Sequence, residues 1–187
     1  MGDIGVHAYN LAGYISGLEV DELCADLNIF VPNRTLDDDG VVMIRYKGGA
    51  RGMLAASQIA IGEENDLTIR IYGERGGLSW RQEEPNTMIL KWADKPNEII
   101  RTGSGYMSSL SQHNTRVPGG HPEGYIEAFA NIYRNFALAI GCILKGNEPK
   151  PEYLDFPTVE DGVRGMQFIE TVVASSESEN KWMKMIE

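Results

Sequence analysis

The sequence predicts an α+β fold, with an open, mainly antiparallel β-sheet and helices packed on one face of it. Two observations carry this prediction. Between residues 20 and 102, short segments rich in β-forming residues alternate with turn residues, at the spacing of an antiparallel meander. After residue 124, apolar residues recur every three or four positions, which is typical of amphipathic helices. The 187 residues, 42% of them hydrophobic, can bury one substantial core, so a single domain over residues 1–187 is expected.

The charge and the apolar pattern exclude several classes of partner. The formal charge of -10 and the scattered Lys and Arg residues argue against nucleic acid and anionic membranes, which reward clustered positive charge. Neither a membrane-spanning run nor a signal peptide is recognisable. Cys24 and Cys142 stand alone among apolar residues, which indicates reduced thiols in a cytoplasmic protein. The three histidines have no helical metal-ligand spacing, so no metal site is expected.

The chain opens with a predicted helix from Gly2 to Gly17. Residues four apart share one face of a helix, so Asp3, His7 and Asn10 are expected to form one polar stripe. A carboxylate one turn before an imidazole can orient the ring and support proton transfer near neutral pH. The structural alternative is that Asp3 is an N-cap or first-turn acid and that His7 has no chemical role.

Alternating segments then predict a series of strands. Residues 51–61 carry small or apolar side chains on both faces, so this strand is expected to be central and covered on both sides. The acidic run Asp37–Asp39 lacks the later ligands of a calcium loop and is interpreted as a solvated turn. The predicted strands cover residues 20–31, 41–46, 51–61, 66–72, 78–82, 86–92 and 97–102, with a possible last edge strand at 181–187.

A long loop and two helices complete the chain. Residues 103–120 are rich in Gly and Ser, and long loops in compact domains are often functional. The next helix, ending at Gly146-Asn147, is expected to lie flat on the sheet. Thr158 is predicted to cap the last helix together with Glu160 and Asp161. That helix is expected to bury Val159, Val163, Met166, Ile169 and Val173.

Three residues around the end of the long loop are candidate substrate contacts. Arg116, His121 and Glu123 could hydrogen-bond sugar hydroxyls or a carboxylate near a helix N-terminus. The structural alternative makes Pro122 the first helical residue, Glu123 a first-turn acid and Arg116 a solvated side chain.

Three stretches of the chain are distinctive when taken together: GDIGVHAYNL, GHPEGYIEAFANIY and FPTVEDGVRGMQFIE. They resemble the C-terminal domain of the Gfo/Idh/MocA oxidoreductases, the family of glucose-fructose oxidoreductase and inositol dehydrogenase. The resemblance covers nearly the whole chain in the family's order.

The resemblance implies a role for the opening motif. In the family, the acid and the histidine of G-D-x-x-x-H, here Asp3 and His7, act beside a lysine of an N-terminal Rossmann domain. The histidine is the general acid/base at the substrate hydroxyl while hydride moves to or from NAD or NADP. The resemblance further implies a sugar, inositol or related polyol as substrate, and a homo-oligomer formed through the free face of the sheet.

The sequence also departs from the family pattern. No G-x-G-x-x-G stands on a strand-to-helix turn, and the family's lysine stretch is missing. The chain is therefore expected to be the substrate-binding and oligomerisation part of a longer enzyme, or a truncated gene product, that binds no cofactor and is inactive alone. Two alternatives stay open: a stand-alone assembly module, and part of an NAD-dependent glycosidase.

Overall fold

A computed structural model describes residues 1–186 and confirms the α+β class. The described residues form two compact units, Met1–Glu64 with the segment from Thr158 onward, and Asn65–Pro157. Each unit contains one four-stranded antiparallel sheet. No helix in residues 1–186 has the length and apolar character needed to cross a bilayer. The elements are α1 (Gly5–Ser16), β1 (Val20–Asn28), β2 (Asp39–Tyr46), β3 (Arg51–Ser57), β4 (Thr68–Tyr72), β5 (Gly76–Arg81), β6 (Thr87–Trp92), β7 (Glu98–Arg101), α2 (Ser109–Asn114), α3 (Tyr125–Ile143), a 3-10 helix (Pro151–Leu154), α4 (Val159–Ser176) and β8 (Met183–Lys184).

The sheet of the first unit has the strand order β3-β2-β1-β8. Alternate residues of β1 and β2 point to one face, where Leu23 is paired with Ile44, and both are buried. The side chains of Phe168 and Val172 on α4 complete the same core. The last edge strand is confirmed as β8, although Glu187 lies outside the described residues.

The prediction for β3 is wrong, because this strand lies at the edge of the sheet and pairs only with β2. The side chain of Met53 is 75% exposed, and Ala55 beside it is also exposed. Small and apolar side chains on both faces therefore indicate an uncovered apolar face here, not a covered one. Val41 and Met43 on β2 extend this face.

The prediction of the buried face of α4 is also wrong. Val159 is 75% exposed, and Val163, Met166 and Val173 are exposed as well, although Ile169 packs against the core. The face that meets the sheet contains Phe168, Thr171, Val172 and Ser175 instead.

Two serine hydroxyl groups explain why the face of α4 that contains Ser175 packs against the sheet. Strand β8 is short and leaves part of the β1 edge unpaired. The backbone N–H groups of Ala25 and Leu27 on that edge donate to the Oγ atoms of Ser175 and Ser176, at 3.1 and 2.9 Å. Because a buried, unpaired N–H costs about 1–3 kcal/mol, the serines are the residues of α4 best suited to contact β1.

The acidic run Asp37–Asp39 is not a solvated turn, which corrects the prediction, and its last residue already belongs to β2. Asp38 is 2% exposed, and its carboxylate accepts the N–H groups of Phe30 and Val31, both at 2.9 Å. The Phe30 N–H bond is the largest cause that lowers the pKa of Asp38 from its ordinary value. This carboxylate therefore organises the loop between β1 and β2.

The second unit confirms the predicted meander, with strands in the order β4-β5-β6-β7. Helix α3 does not lie flat on this sheet, contrary to prediction, but packs against the 3-10 helix and the residues that follow it. The ring of Phe136 meets that of Phe156 edge to face at 5.6 Å. Many apolar side chains of α3, including Ile126 and Tyr133, are exposed.

Candidate functional site

The three polar residues of the opening motif are all exposed in the first unit. Asp3, His7 and Asn10 lie before and within the first turns of α1. The helix begins at Gly5, and Ile4 occupies the N-cap position without a side-chain hydrogen bond. Asp3 therefore lies outside the helix, and the alternative that it acts as a helix cap or first-turn acid is wrong.

A glutamine after β3 holds the carboxylate of Asp3. Gln58 Nε2 donates a hydrogen bond to Asp3 Oδ2 at 2.7 Å. The backbone N–H of Gln58 donates to the carbonyl oxygen of Asp38 at 2.8 Å, so this residue is itself fixed to the sheet. Within residues 1–186, Asp3 and His7 form no ion pair at 4 Å or less. The structure therefore shows the acid oriented by Gln58 and the imidazole open to solvent.

The opposite side of α1 anchors the motif to α4. The ring of Tyr9 stacks on Phe168 with centroids 4.2 Å apart and planes inclined by 9°. Val6 lies so close to Gly165 that a Cβ there would come within 3.3 Å of it. The helix ends as predicted at Gly17, whose φ is 67° and whose N–H donates to Gly13 O at 2.8 Å. Helix α1 is thus packed against α4 on one face and exposed on the face of His7, so the imidazole is accessible to a ligand.

In the second unit, one asparagine ties together both ends of the long loop. The hydroxyl of Thr102 donates to Asn86 Oδ1 at 2.8 Å, and Asn86 Nδ2 donates to the carbonyl oxygen of Glu123 at 2.7 Å. Gly103 has a φ of 73°, and a Cβ at this position would approach the Gly119 nitrogen to 2.5 Å. The two loop ends are therefore fixed close to each other, and they support the candidate residues between them.

The carboxylate of Glu123 is used inside this loop. Glu123 Oε2 accepts the backbone N–H groups of Arg116 and Val117 at 2.8 and 3.2 Å. Helix α3 begins only at Tyr125, so neither Pro122 nor Glu123 lies in its first turn. Instead, the side chain of Glu127 accepts the N–H of Gly124 at 2.8 Å. The structure thus gives Glu123 a role in loop structure.

Arg116 and His121 are both exposed. His121 Nδ1 lies 3.1 Å from the carbonyl oxygen of Pro118, which leaves Nε2 facing away from that contact. Two effects lower the pKa of Arg116. The larger is partial desolvation of its guanidinium, and the second is repulsion from Arg134. Arg116 lines an open depression of about 330 Å³ together with Gly103, Ser104, Gly105, Gln112, Thr115, Val117 and Pro118.

Sequence reasoning missed a polar network around His113. Asn135 on α3 is 1% exposed, and its Oδ1 atom lies 2.8 Å from His113 Nε2. Asn135 Nδ2 donates to Asn114 Oδ1 at 3.0 Å, and Asn114 Nδ2 donates to Asp155 Oδ2 at 2.6 Å. The network joins α2, α3 and the segment after the 3-10 helix. The only sequence signal for this network was the presence of polar residues in α3, which is otherwise apolar. Such residues are equally expected on a face of the helix that contacts water.

This chain of contacts fixes the tautomer of His113. An ionised carboxylate only accepts hydrogen bonds, so Asp155 orients Asn114 with its amide nitrogen toward the carboxylate. Asn114 Oδ1 then faces Asn135 Nδ2, which leaves Asn135 Oδ1 to accept from the imidazole. The proton of His113 therefore lies on Nε2.

A second contact of the same nitrogen is consequently not a hydrogen bond. Arg134 Nη1 also lies 2.8 Å from His113 Nε2, but a protonated Nε2 cannot accept from a guanidinium. An unpaired Asn135 Oδ1 would cost about 1–3 kcal/mol because it is buried, whereas Arg134 is exposed. The Asn135 bond is therefore the one that forms.

The described residues do not fit the implied cofactor or a metal ion. Both sheets are antiparallel throughout, so residues 1–186 contain no strand-to-helix unit of the dinucleotide-binding type. The glycines at 73–77 lie between β4 and β5, and those at 103 and 105 follow β7. No group of three or more His, Cys, Asp or Glu residues in this range could hold a metal ion.

Known proteins resemble the chain in both sequence and structure. Residues 1–79 match the family model described as the GFO/IDH/MocA C-terminal domain. The uncharacterized oxidoreductase YfiI of Bacillus subtilis is 30% identical over 186 residues, which are 98% of this chain and 47% of that protein.

Two solved structures agree with this result. An oxidoreductase from Sinorhizobium meliloti is 44% identical with a TM-score of 0.90, over 97% of this chain and 51% of that one. An inositol dehydrogenase homolog from Azotobacter vinelandii, complexed with NADH and myo-inositol, is 28% identical with a TM-score of 0.88, over 97% and 48%. The chain thus spans about half the length of these relatives. It has the sequence and fold of the C-terminal domain of the Gfo/Idh/MocA oxidoreductases and belongs to that family.

Proposed function

We propose that this chain is the substrate-binding domain of an NAD(P)-dependent oxidoreductase that acts on a sugar, an inositol or a related polyol. The observation that carries the proposal is the exposure of Asp3 and His7 at the start of a helix whose other side is packed. The Azotobacter vinelandii relative, described with NADH and myo-inositol, supports both the cofactor and the substrate class.

His7 would act as the general acid/base at the substrate hydroxyl. Imidazole gains and loses a proton near neutral pH, and the exposed ring can reach a bound hydroxyl group. During oxidation of an alcohol, His7 would accept the hydroxyl proton, and bound NAD+ or NADP+ would supply the acceptor for the hydride that leaves the carbon. Asp3, oriented by Gln58 at 2.7 Å, makes no ion pair with His7 and would favour the resulting imidazolium through its charge from a greater distance.

The other candidate residues would contact the substrate. Asn10, Arg116 and His121 each present an exposed polar group that can hydrogen-bond a hydroxyl, and each is proposed by itself as a ligand contact of its own unit. Glu123 would contribute indirectly, since its carboxylate orders the backbone of Arg116. We expect His121→Ala to raise KM or lower kcat in the longer enzyme, whereas unchanged kinetics would remove His121 from the site.

The hydride acceptor would be bound by an N-terminal Rossmann domain in the longer protein. This chain alone is then expected to bind neither NADH nor NADPH and to catalyse no hydride transfer, because catalysis requires cofactor and substrate to be held together. Isothermal titration calorimetry of the 187-residue chain with each cofactor tests this expectation. Binding at about micromolar Kd, equivalent to roughly -8 kcal/mol, would contradict it.

Activity of the longer protein tests the proposal itself. NAD+ or NADP+ reduction would be followed with myo-inositol, D-glucose and related polyols, and with aryl glycosides in parallel. Oxidation of a free polyol supports the proposal. Release of the aryl group without net cofactor reduction would favour the NAD-dependent glycosidase instead.

The open face of the first sheet favours an additional role in assembly. Val41, Met43, Met53 and Ala55 form a contiguous exposed apolar surface on β2 and β3, and such surfaces mark interaction sites. We propose that a second copy of the chain covers it, giving a homo-oligomer. Light scattering should show an oligomer that Met53→Lys dissociates. A wild-type monomer at high concentration would exclude this role.

A further inference from the structure

The second unit brings two guanidinium groups to one residue. Arg116 Nη2 donates to the carbonyl oxygen of His113, and Arg134 Nη1 lies 2.8 Å from the imidazole Nε2 of the same residue. Two like charges held this close repel each other unless a negative charge lies between or beside them.

No carboxylate in the described part of the chain forms an ion pair with either arginine. Within residues 1–186, neither Arg116 nor Arg134 has an Asp or Glu oxygen within 4 Å. The carboxylate of Glu123 attracts Arg116 from a greater distance, but this effect is smaller than the repulsion from Arg134, and its Oε2 atom accepts two backbone N–H groups.

The hydrogen-bond network leaves Arg134 without an acceptor at His113. Because Asn135 and Asn114 fix the proton of His113 on Nε2, the guanidinium faces an N–H group. Arg134 therefore has no protein acceptor at this contact, and its exposed guanidinium is available to a ligand.

We propose that Arg116 and Arg134 together bind a carboxylate or phosphate group of a ligand held by this unit, and that this ligand is an anionic sugar or polyol derivative. Guanidinium groups bind both anions with paired N–H donors. The depression beside Arg116, about 330 Å³ in volume, lies within the size range of small-molecule sites. Its Ser104 and Gln112 side chains can bond hydroxyl groups. The identification of the ligand as a substrate rests on the proposed function.

Ligand titration of the 187-residue chain, followed by NMR, tests the proposal without cofactor or turnover. The probes are D-glucuronate, D-glucose 6-phosphate and neutral D-glucose. We expect at least one anionic sugar to bind about tenfold more tightly than D-glucose, a difference that weakens as salt is added. The two anionic probes distinguish a carboxylate from a phosphate ligand.

Variants locate the site. Arg116→Gln and Arg134→Gln should each remove most of the preference for the anionic sugar, whereas Arg116→Lys and Arg134→Lys should retain part of it. Arg75→Gln, which removes an exposed arginine from the β4–β5 turn of the same unit, should change nothing. Urea unfolding verifies that each variant is folded.

Equal binding of charged and neutral sugars, no binding of either anionic probe, or full preference in the glutamine variants would overturn the proposal. A longer enzyme that oxidises only neutral polyols would leave the proposed function intact while removing this inference. A preference for anionic sugars in a longer protein without dehydrogenase activity would support this inference and contradict the proposed function.

Discussion

The carboxylate of Asp3 accepts a hydrogen bond from Gln58 Nε2 at 2.7 Å, so the acid of the opening motif is oriented from the end of β3. If Asp3 supports His7 in catalysis, loss of this bond should slow the reaction. We expect Gln58→Ala to lower kcat of the longer enzyme by about tenfold, equivalent to roughly 1.4 kcal/mol. Steady-state kinetics over pH 5–9 is the measurement.

Gln82→Ala provides a matched control, since Gln82 Nε2 makes one exposed backbone contact at 3.4 Å in the other unit. Its kcat should equal that of the wild type. An unchanged pH–rate profile and kcat for Gln58→Ala would mean that the bond only fastens Asp3 to the sheet.

Two valines on α4 test the corrected orientation of this helix. Val172 is fully buried, whereas Val159 is exposed. We expect Val172→Ala to lower the free energy of unfolding by about 2 kcal/mol, and Val159→Ala to change it by less than about 0.5 kcal/mol. Urea denaturation of the two variants compares them directly. A larger loss of unfolding free energy for Val159→Ala than for Val172→Ala would show that the face predicted from the sequence is the buried one.

The buried asparagine on α3 should be essential for the second unit. Asn135→Ala leaves His113 and Asn114 without a shared partner, and we expect about 2–4 kcal/mol of destabilisation. Asn97→Ala, an exposed control, should be neutral. Equal urea midpoints for the two variants would contradict the network.

Nitrogen NMR of the His113 ring tests the same network independently. The chain from Asp155 through two amides predicts that the neutral ring carries its proton on Nε2. A proton on Nδ1 would reverse the amide orientations and return Arg134 to hydrogen bonding with the ring.

Helix α4 should contribute a pH dependence through its N-terminal turn. The N–H of Thr158 and the guanidinium of Arg164 lower the pKa of Asp161 from 3.8 to about 2. Because the folded-state pKa is depressed, this contribution to stability is present above about pH 4 and is lost as pH falls toward 2. Asp161→Asn should therefore flatten the stability profile between these values. Profiles that stay parallel across this window would contradict the assignment.

Much of the fold was predictable because its local signals agree. Alternation identified the strands, Gly17 ended α1, and Thr158 with Asp161 began α4. The predicted sheet is, however, divided between two units. The errors arose where tertiary hydrogen bonds override apolar patterns. Ser175 and Ser176 contact β1 because that edge has N–H groups without a strand partner. The spacing of apolar residues in the sequence does not show which strand edge lacks a partner.

The candidate site was predictable to a smaller degree. Asp3 and His7 are both exposed, and their catalytic roles stay predictions. The bond between Asp3 and Gln58 joins residues 55 positions apart. The network from His113 to Asn135 and Asp155 also depends on distant segments. Such contacts have no fixed spacing and emerge only from the folded chain.

The most direct test of the account is kcat of the longer enzyme carrying His7→Gln, measured with its best polyol substrate. We predict a fall of about 10²- to 10⁴-fold with KM nearly unchanged, because the variant keeps a polar side chain but cannot take up the hydroxyl proton. A kcat within about twofold of the wild type would contradict the role of His7. Such a change in the activation free energy is far smaller than the 1.36 kcal/mol that corresponds to a tenfold change in rate.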